Sequence, residues 1–152
     1  MKTFLKKILS DLQAVPRGDD LQEHQYTTAL AASVILLEVA SSDREIATTE
    51  QEHIVSILRD HFALSTDDVR ELLEAARDAR ENAVDVYQFT RVINEACTRD
   101  EKRVLMDGIW KVIYADGRLD EHEDHLAHQL TRLLHLDHRD MIDAKLKHRH
   151  SR

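Results

Sequence analysis

The sequence predicts an all-α protein, a compact bundle of about seven to eight helices with an internal pseudo-two-fold repeat, and three observations carry that prediction. Glycine occurs three times and proline once in 152 residues, so runs of good helix formers are seldom interrupted. Apolar residues recur three and four positions apart along most of the chain, the period of a helix that buries one face. A unit of helix, acidic elbow and helix occurs twice. The length is that of one ordinary domain with a single core.

Taken in order, residues 1–20 read as an amphipathic helix followed by a hinge. Phe4, Leu5, Ile8, Leu9 and Leu12 form its stripe, and Lys6, Lys7 and Asp11 break up the apolar run that a secretory signal needs. Pro16 and Gly18 end it. A helix over residues 21–40 is apolar nearly all round from Ala29 to Val39, as befits the centre of a bundle. Thr49 and Glu52 form a capping box for the next helix, which buries Ile54, Ile57, Leu58 and Phe62. Ser65 to Asp68 cap a helix over residues 69–80 that turns Leu72, Leu73 and Ala76 inward and a charged face outward. A helix over residues 85–96 presents Val86, Phe89, Val92 and Ile93. Thr98 and Glu101 form a second capping box, starting a helix that runs through Trp110 and Ile113. Another follows over residues 121–135. Asp137 or Asp140 caps the last helix, which ends near Lys147 before a frayed tail over residues 148–152.

Laying residues 36–57 on residues 109–130 pairs Leu36 with Ile109, Val39 with Val112, Asp43 with Asp116, Ile46 with Leu119, Glu50 with Glu123 and Ile57 with Leu130. With one residue dropped, Leu64 and Ser65 then fall on Leu136 and Asp137, and Val69 on Met141. Each unit is therefore helix, acidic elbow, helix, capped turn and helix.

The second elbow, Ala115-Asp116-Gly117-x-Leu119-Asp120-x-x-Glu123, lies between two apolar helices. In this it resembles the TerB-like family, named for a tellurite-resistance protein and found also as a domain of a membrane-anchored DnaJ-type co-chaperone. The resemblance covers residues 21–147, taken as the domain. It implies an all-helical fold with two acidic clusters that bind metal or serve as interaction surfaces, in bacterial proteins of stress response and the cell envelope, with no defined catalytic activity. The first elbow departs from the pattern, with Ser42-Asp43-Arg44 for Ala-Asp-Gly and Ala47 in the place of Asp120. The chain has no His-Pro-Asp tripeptide, so co-chaperone activity is not carried over.

The candidate metal residues are Asp43, Glu50, Asp116, Asp120 and Glu123, whose hard oxygens suit Ca²⁺, Mg²⁺ or Mn²⁺, with Zn²⁺ also considered. Their spacing is not that of an EF-hand. Asp120-x-x-Glu123 is also a capping box, Asp116 can close an Asx-turn and Gly117 supplies positive φ, so the elbow has a sufficient structural role without metal. Glu121, His125 and His128 share one helix face, but three ligands on one helix seldom converge, and a solvated polar face is expected. Cys97 stands alone without a catalytic motif, which fits a reducing compartment and a packing role.

A net charge of −8 with ten histidines neutral disfavours nucleic acid as a partner and makes the protein's field sensitive to mild acid. No carboxylate pair is matched with a nucleophile, phosphate loop or oxyanion donor, so catalytic and cofactor residues are expected to be none. The reading is a cytoplasmic, non-enzymatic interaction module that docks an envelope-associated protein partner through its acidic elbows. The alternative is a divalent-metal sensor. Peripheral membrane contact through residues 1–15 and homodimerisation are further expectations.

Overall fold

The computed structural model describes residues 21–40, 48–62, 64–83, 85–116 and 121–149, with backbone alone at residues 21–25, 48–50 and 116. The expected helix and hinge over residues 1–20 lie outside the described residues, as do residues 150–152. Seven α-helices are present among the described residues: α1 (Leu21–Ala40), α2 (Thr48–Phe62), α3 (Thr66–Asn82), α4 (Tyr87–Ala96), α5 (Arg99–Ile113), α6 (Glu121–Leu133) and α7 (His138–Arg149). A short 3-10 turn, Tyr114–Asp116, follows α5, and no strand occurs among the described residues.

α1 is the axis of the bundle. From Thr28 to Ala40 every residue but Glu38 is buried, and α2, α3, α4, α5 and α6 all pack against it. Such a helix must be apolar all round, which its sequence is. Ser33 is the polar exception in its middle, and its hydroxyl donates to the Ala29 carbonyl at 2.6 Å, so no donor is left bare. Leu30, Ile35, Leu36 and Leu37 join Ile54, Leu58, Leu72, Phe89, Ile109 and Trp110 in one continuous core. Truncating any of these large aliphatic side chains to Ala is expected to cost about 2–5 kcal/mol.

The duplication read from sequence is present in the packing. In each unit the first and third helices pack together and run in the same direction. In the first, Glu38 near the end of α1 pairs with Arg80 near the end of α3 at 2.6 Å. In the second, Arg99 at the start of α5 reaches Asp140 at the start of α7, and Asp107 further along meets Lys147. The turns match as well. The Leu64 amide donates to the Arg59 carbonyl at 3.2 Å, and the Leu136 amide to the Thr131 carbonyl at 2.9 Å, the long bond of a Schellman ending. In the second unit the turn places His135 at φ 57°, the left-handed conformation that ordinarily favours glycine.

The helix ends follow local chemistry with small displacements. Ser65 caps α3 by accepting from the Asp68 amide at 3.1 Å, and α3 starts at Thr66, earlier than residue 69. Thr98 and Glu101 form the expected reciprocal capping box on α5. α2 begins at Thr48, so Thr49 lies within its first turn instead of at its cap. α4 begins at Tyr87, not residue 85, because the Asp85 carboxylate accepts from the Tyr87 amide at 2.9 Å and holds the entering chain as an Asx-type turn. α7 runs on to Arg149, since half-buried His148 packs back toward α5. No helix among the described residues is long and apolar enough to cross a membrane.

Candidate functional site

The second elbow is the end of α5, the 3-10 turn and the start of α6. α5 closes at Tyr114, whose amide donates to the Trp110 and Val112 carbonyls. The 3-10 turn carries the backbone through Asp116 and packs against α2. α6 resumes at Glu121, and Glu123 in its first turn is 5% exposed. That burial fits the third helical position, where a glutamate turns back toward the helix start.

The wall beside the elbow is a chain of contacts from three helices. Trp110 of α5 is fully buried and its ring lies 5.7 Å from that of Tyr114, tilted by 31°. The Lys145 ammonium of α7 sits 5.2 Å from the Trp110 ring and donates to Asp124 of α6 at 3.1 Å. A cation placed on an aromatic face and paired with a carboxylate is fixed by two independent attractions. Asp124 also lies 3.5 Å from Nε2 of His128, whose ring stacks on that of His138 at 5.8 Å. His128 thus turns toward Asp124 and α7, while Glu121 and His125 stay exposed. The face expected to be solvated throughout is therefore divided, Glu121 and His125 lying exposed and His128 half-buried.

Of the proposed metal residues, Asp43 and Asp120 lie outside the described residues, as do the side chains of Glu50 and Asp116. Glu123 is the member whose side chain is placed, as a buried carboxylate at the start of α6. Among the described residues no group of three His, Cys, Asp or Glu could hold a metal ion. Glu123 would contribute one hard oxygen donor to a cation at the elbow, and a divalent ion there would supply local positive charge.

A carboxylate that sequence reading treated only as a helix cap has a larger role. Asp140 is 7% exposed and accepts from the Asp137 amide at 3.1 Å, from Arg99 Nη2 at 3.1 Å, and pairs with Arg103 Nε at 3.3 Å. Burial pushes its pKa up, but the Asp137 amide, the Arg99 hydrogen bond and the charges of both arginines outweigh that and hold the carboxyl below its ordinary value. Asp137-x-x-Asp140 has the spacing of a capping box, which was the available signal; the arginines were hidden because they lie in another helix. A second clasp closes α6: Asn94 Nδ2 donates to the Leu133 carbonyl at 2.8 Å, and Lys102 Nζ bridges Asn94 Oδ1 and the Leu134 carbonyl. These carbonyls are helix-end acceptors that would otherwise need water.

Two further reactive groups are restrained. Cys97 packs against the core, and burial, then the Glu101 charge, push its thiol up to about 11, so it is protonated at neutral pH. His148 lies 3.8 Å from Asp107, and its buried Nε2 has no hydrogen-bond partner among the described residues. Burial pushes its pKa below the ordinary value, with Asp107 opposing and Lys147 and Lys111 assisting.

A family model described as tellurite resistance protein TerB matches residues 29–146, a span that contains both elbows and all seven helices in whole or part. No curated protein and no solved structure matches the chain.

Proposed function

The chain belongs to the TerB family of tellurite resistance proteins, and we propose that it works there as a non-enzymatic interaction module whose acidic elbows dock a protein partner. The observation that supports this is the repeat itself. The family span includes two helix-elbow-helix units, and the helices on either side of the second elbow are tied together by Lys145, which sits on Trp110 and donates to Asp124. Helices fixed against one another hold the two ends of the elbow at a set separation, which lowers the ordering cost of binding there. Docking to an envelope-associated partner, membrane contact through residues 1–15 and self-association belong to the same proposal. The protonated Cys97 thiol favours a role without covalent chemistry.

Affinity capture from the source cells, with the intact chain and an Asp43→Asn, Asp116→Asn variant as baits, tests the reading. A protein retained by the first and lost by the second is the expected outcome. Equal retention by both, with equal melting temperatures, would remove the elbows from the interface.

Glu123, a buried carboxylate at the elbow, favours one rival: a divalent-metal sensor. Calorimetric titration with Ca²⁺, Mg²⁺, Mn²⁺ and Zn²⁺ decides between them. Heat of binding together with a metal-dependent rise in melting temperature supports the sensor, because a ligand bound only by the folded state stabilises it by mass action. No heat at millimolar metal retires it.

A further inference from the structure

A groove of about 580 Å³ runs between α2 and α3. Its apolar lining comes from Val55 and from Leu73, which is 2% exposed. Three guanidinium groups line it: Arg59 from α2, and Arg70 and Arg77 from α3. Among the described residues neither Arg70 nor Arg77 makes an ion pair, although Glu74 stands at helical spacing from both. Arg59 has only the loose pair with its chain neighbour Asp60 at 3.7 Å. Glu52 and Glu74 belong to the same lining, so the arginines outnumber the carboxylates there by one, in a chain of net charge −8.

The spacing selects the ligand. Arg70 and Arg77 are seven residues apart on one helix face, about 10.5 Å along the axis at 1.5 Å per residue. A single phosphate or carboxylate would have to draw both long side chains to one point beside Glu74, whereas two acidic side chains two turns apart on a helix meet one guanidinium each. Glu74 lies between the arginines and repels a third acid there, while part-exposed Val55 across the groove accepts an apolar side chain. Glu52 is the other acid of the lining, so the groove discriminates by position and not by bulk charge. At physiological salt the acidic remainder of the surface is screened beyond about 8 Å, leaving the contacting guanidiniums to decide the outcome.

We propose that this groove binds an acid-apolar-acid segment of a partner protein, Arg70 and Arg77 each holding one carboxylate by paired N–H donors and Arg59 closing from α2. Among the described residues none of the elbow carboxylates lines the groove, so each site is tested by its own variants.

The test is an NMR titration of the isotope-labelled full chain with two helical peptides. One carries glutamates seven positions apart with leucine between them; the other has glutamine in place of each glutamate. Expected are saturable shifts at the amides of α2 and α3 with the glutamate peptide, and at least about tenfold weaker binding of the glutamine peptide. An Arg70→Gln, Arg77→Gln chain should lose the same tenfold while melting at the unaltered temperature, since both side chains are exposed. Equal affinity for the two peptides overturns the proposal, as does unchanged binding by the folded double variant. So does inorganic phosphate producing the same shifts at the same affinity, which would make the groove a small-anion site.

Discussion

The Asp140 carboxylate accepts a hydrogen bond from Arg99 Nη2 at 3.1 Å, and this contact ties the first turn of α7 to the first turn of α5. Arg99 is itself held in the charged form, its pKa raised chiefly by that bond. The two helices lie side by side, with α6 between them in the chain.

Replacing Asp140 with Asn should lower stability at neutral pH by about 1–2 kcal/mol, the range for losing hydrogen bonds to a charged group that is buried while its partners are partly solvated. The sign with pH follows from a carboxyl whose folded pKa is depressed. Its contribution is complete above the unfolded value of 3.8 and is lost as pH falls through the lower folded value. Urea unfolding at pH 7 and near pH 2 should therefore show a gap between the two proteins that closes in acid.

His148 acts in the opposite sense. Its folded pKa is below 6.5, so the unfolded chain takes up the proton first, and stability falls as pH drops below about 6.5 through the folded value. A His148→Gln variant should lose less melting temperature between pH 7.5 and pH 5.5 than the unaltered chain does. The comparison of slopes isolates this residue from the other nine histidines. Equal slopes would show that Asp107 compensates fully for the burial.

His135 adopts φ 57° at the end of α6. A residue with a side chain is strained there by about 1–2 kcal/mol, whereas glycine is not but gives up about 0.5–1 kcal/mol of chain entropy on folding. His135→Gly should consequently stabilise the protein by about 0.5–1 kcal/mol, measured as a raised urea midpoint with an unchanged slope.

Gly108 lets α2 and α5 come close: a Cβ built there would stand 3.3 Å from Cγ2 of Ile57. Gly108→Ala should be near neutral in thermal unfolding, because the gain of about 1 kcal/mol in helix propensity offsets a slight displacement of Ile57. Gly108→Val adds bulk that the interface cannot absorb and should destabilise by about 1–3 kcal/mol.

Much of this molecule was legible before any coordinates. Helix periodicity located every described helix, Thr98 and Glu101 announced their capping box, and the pairing of Leu36 with Ile109 and Val69 with Met141 announced the duplication, all four side chains being buried. The elbow was legible in part: Glu123 could be placed at a helix start, where burial now puts it, but its neighbours Lys145 and Trp110 could not be joined to it. The Arg99–Asp140 clasp was not legible at all.

The division has a physical cause. Helical hydrogen bonds, caps and the apolar stripe are settled between residues three or four apart, so the sequence by itself determined the elements, their buried faces and their repetition. A stripe states that a face will be covered without stating what covers it. Only tertiary packing decided that α1 and α3, and likewise α5 and α7, would lie parallel, that Lys145 would settle against Trp110, and that Arg59 would face Arg70 and Arg77 across one groove. Those relationships join side chains from separate helices, and they exist only once the shared core has set the helices against one another.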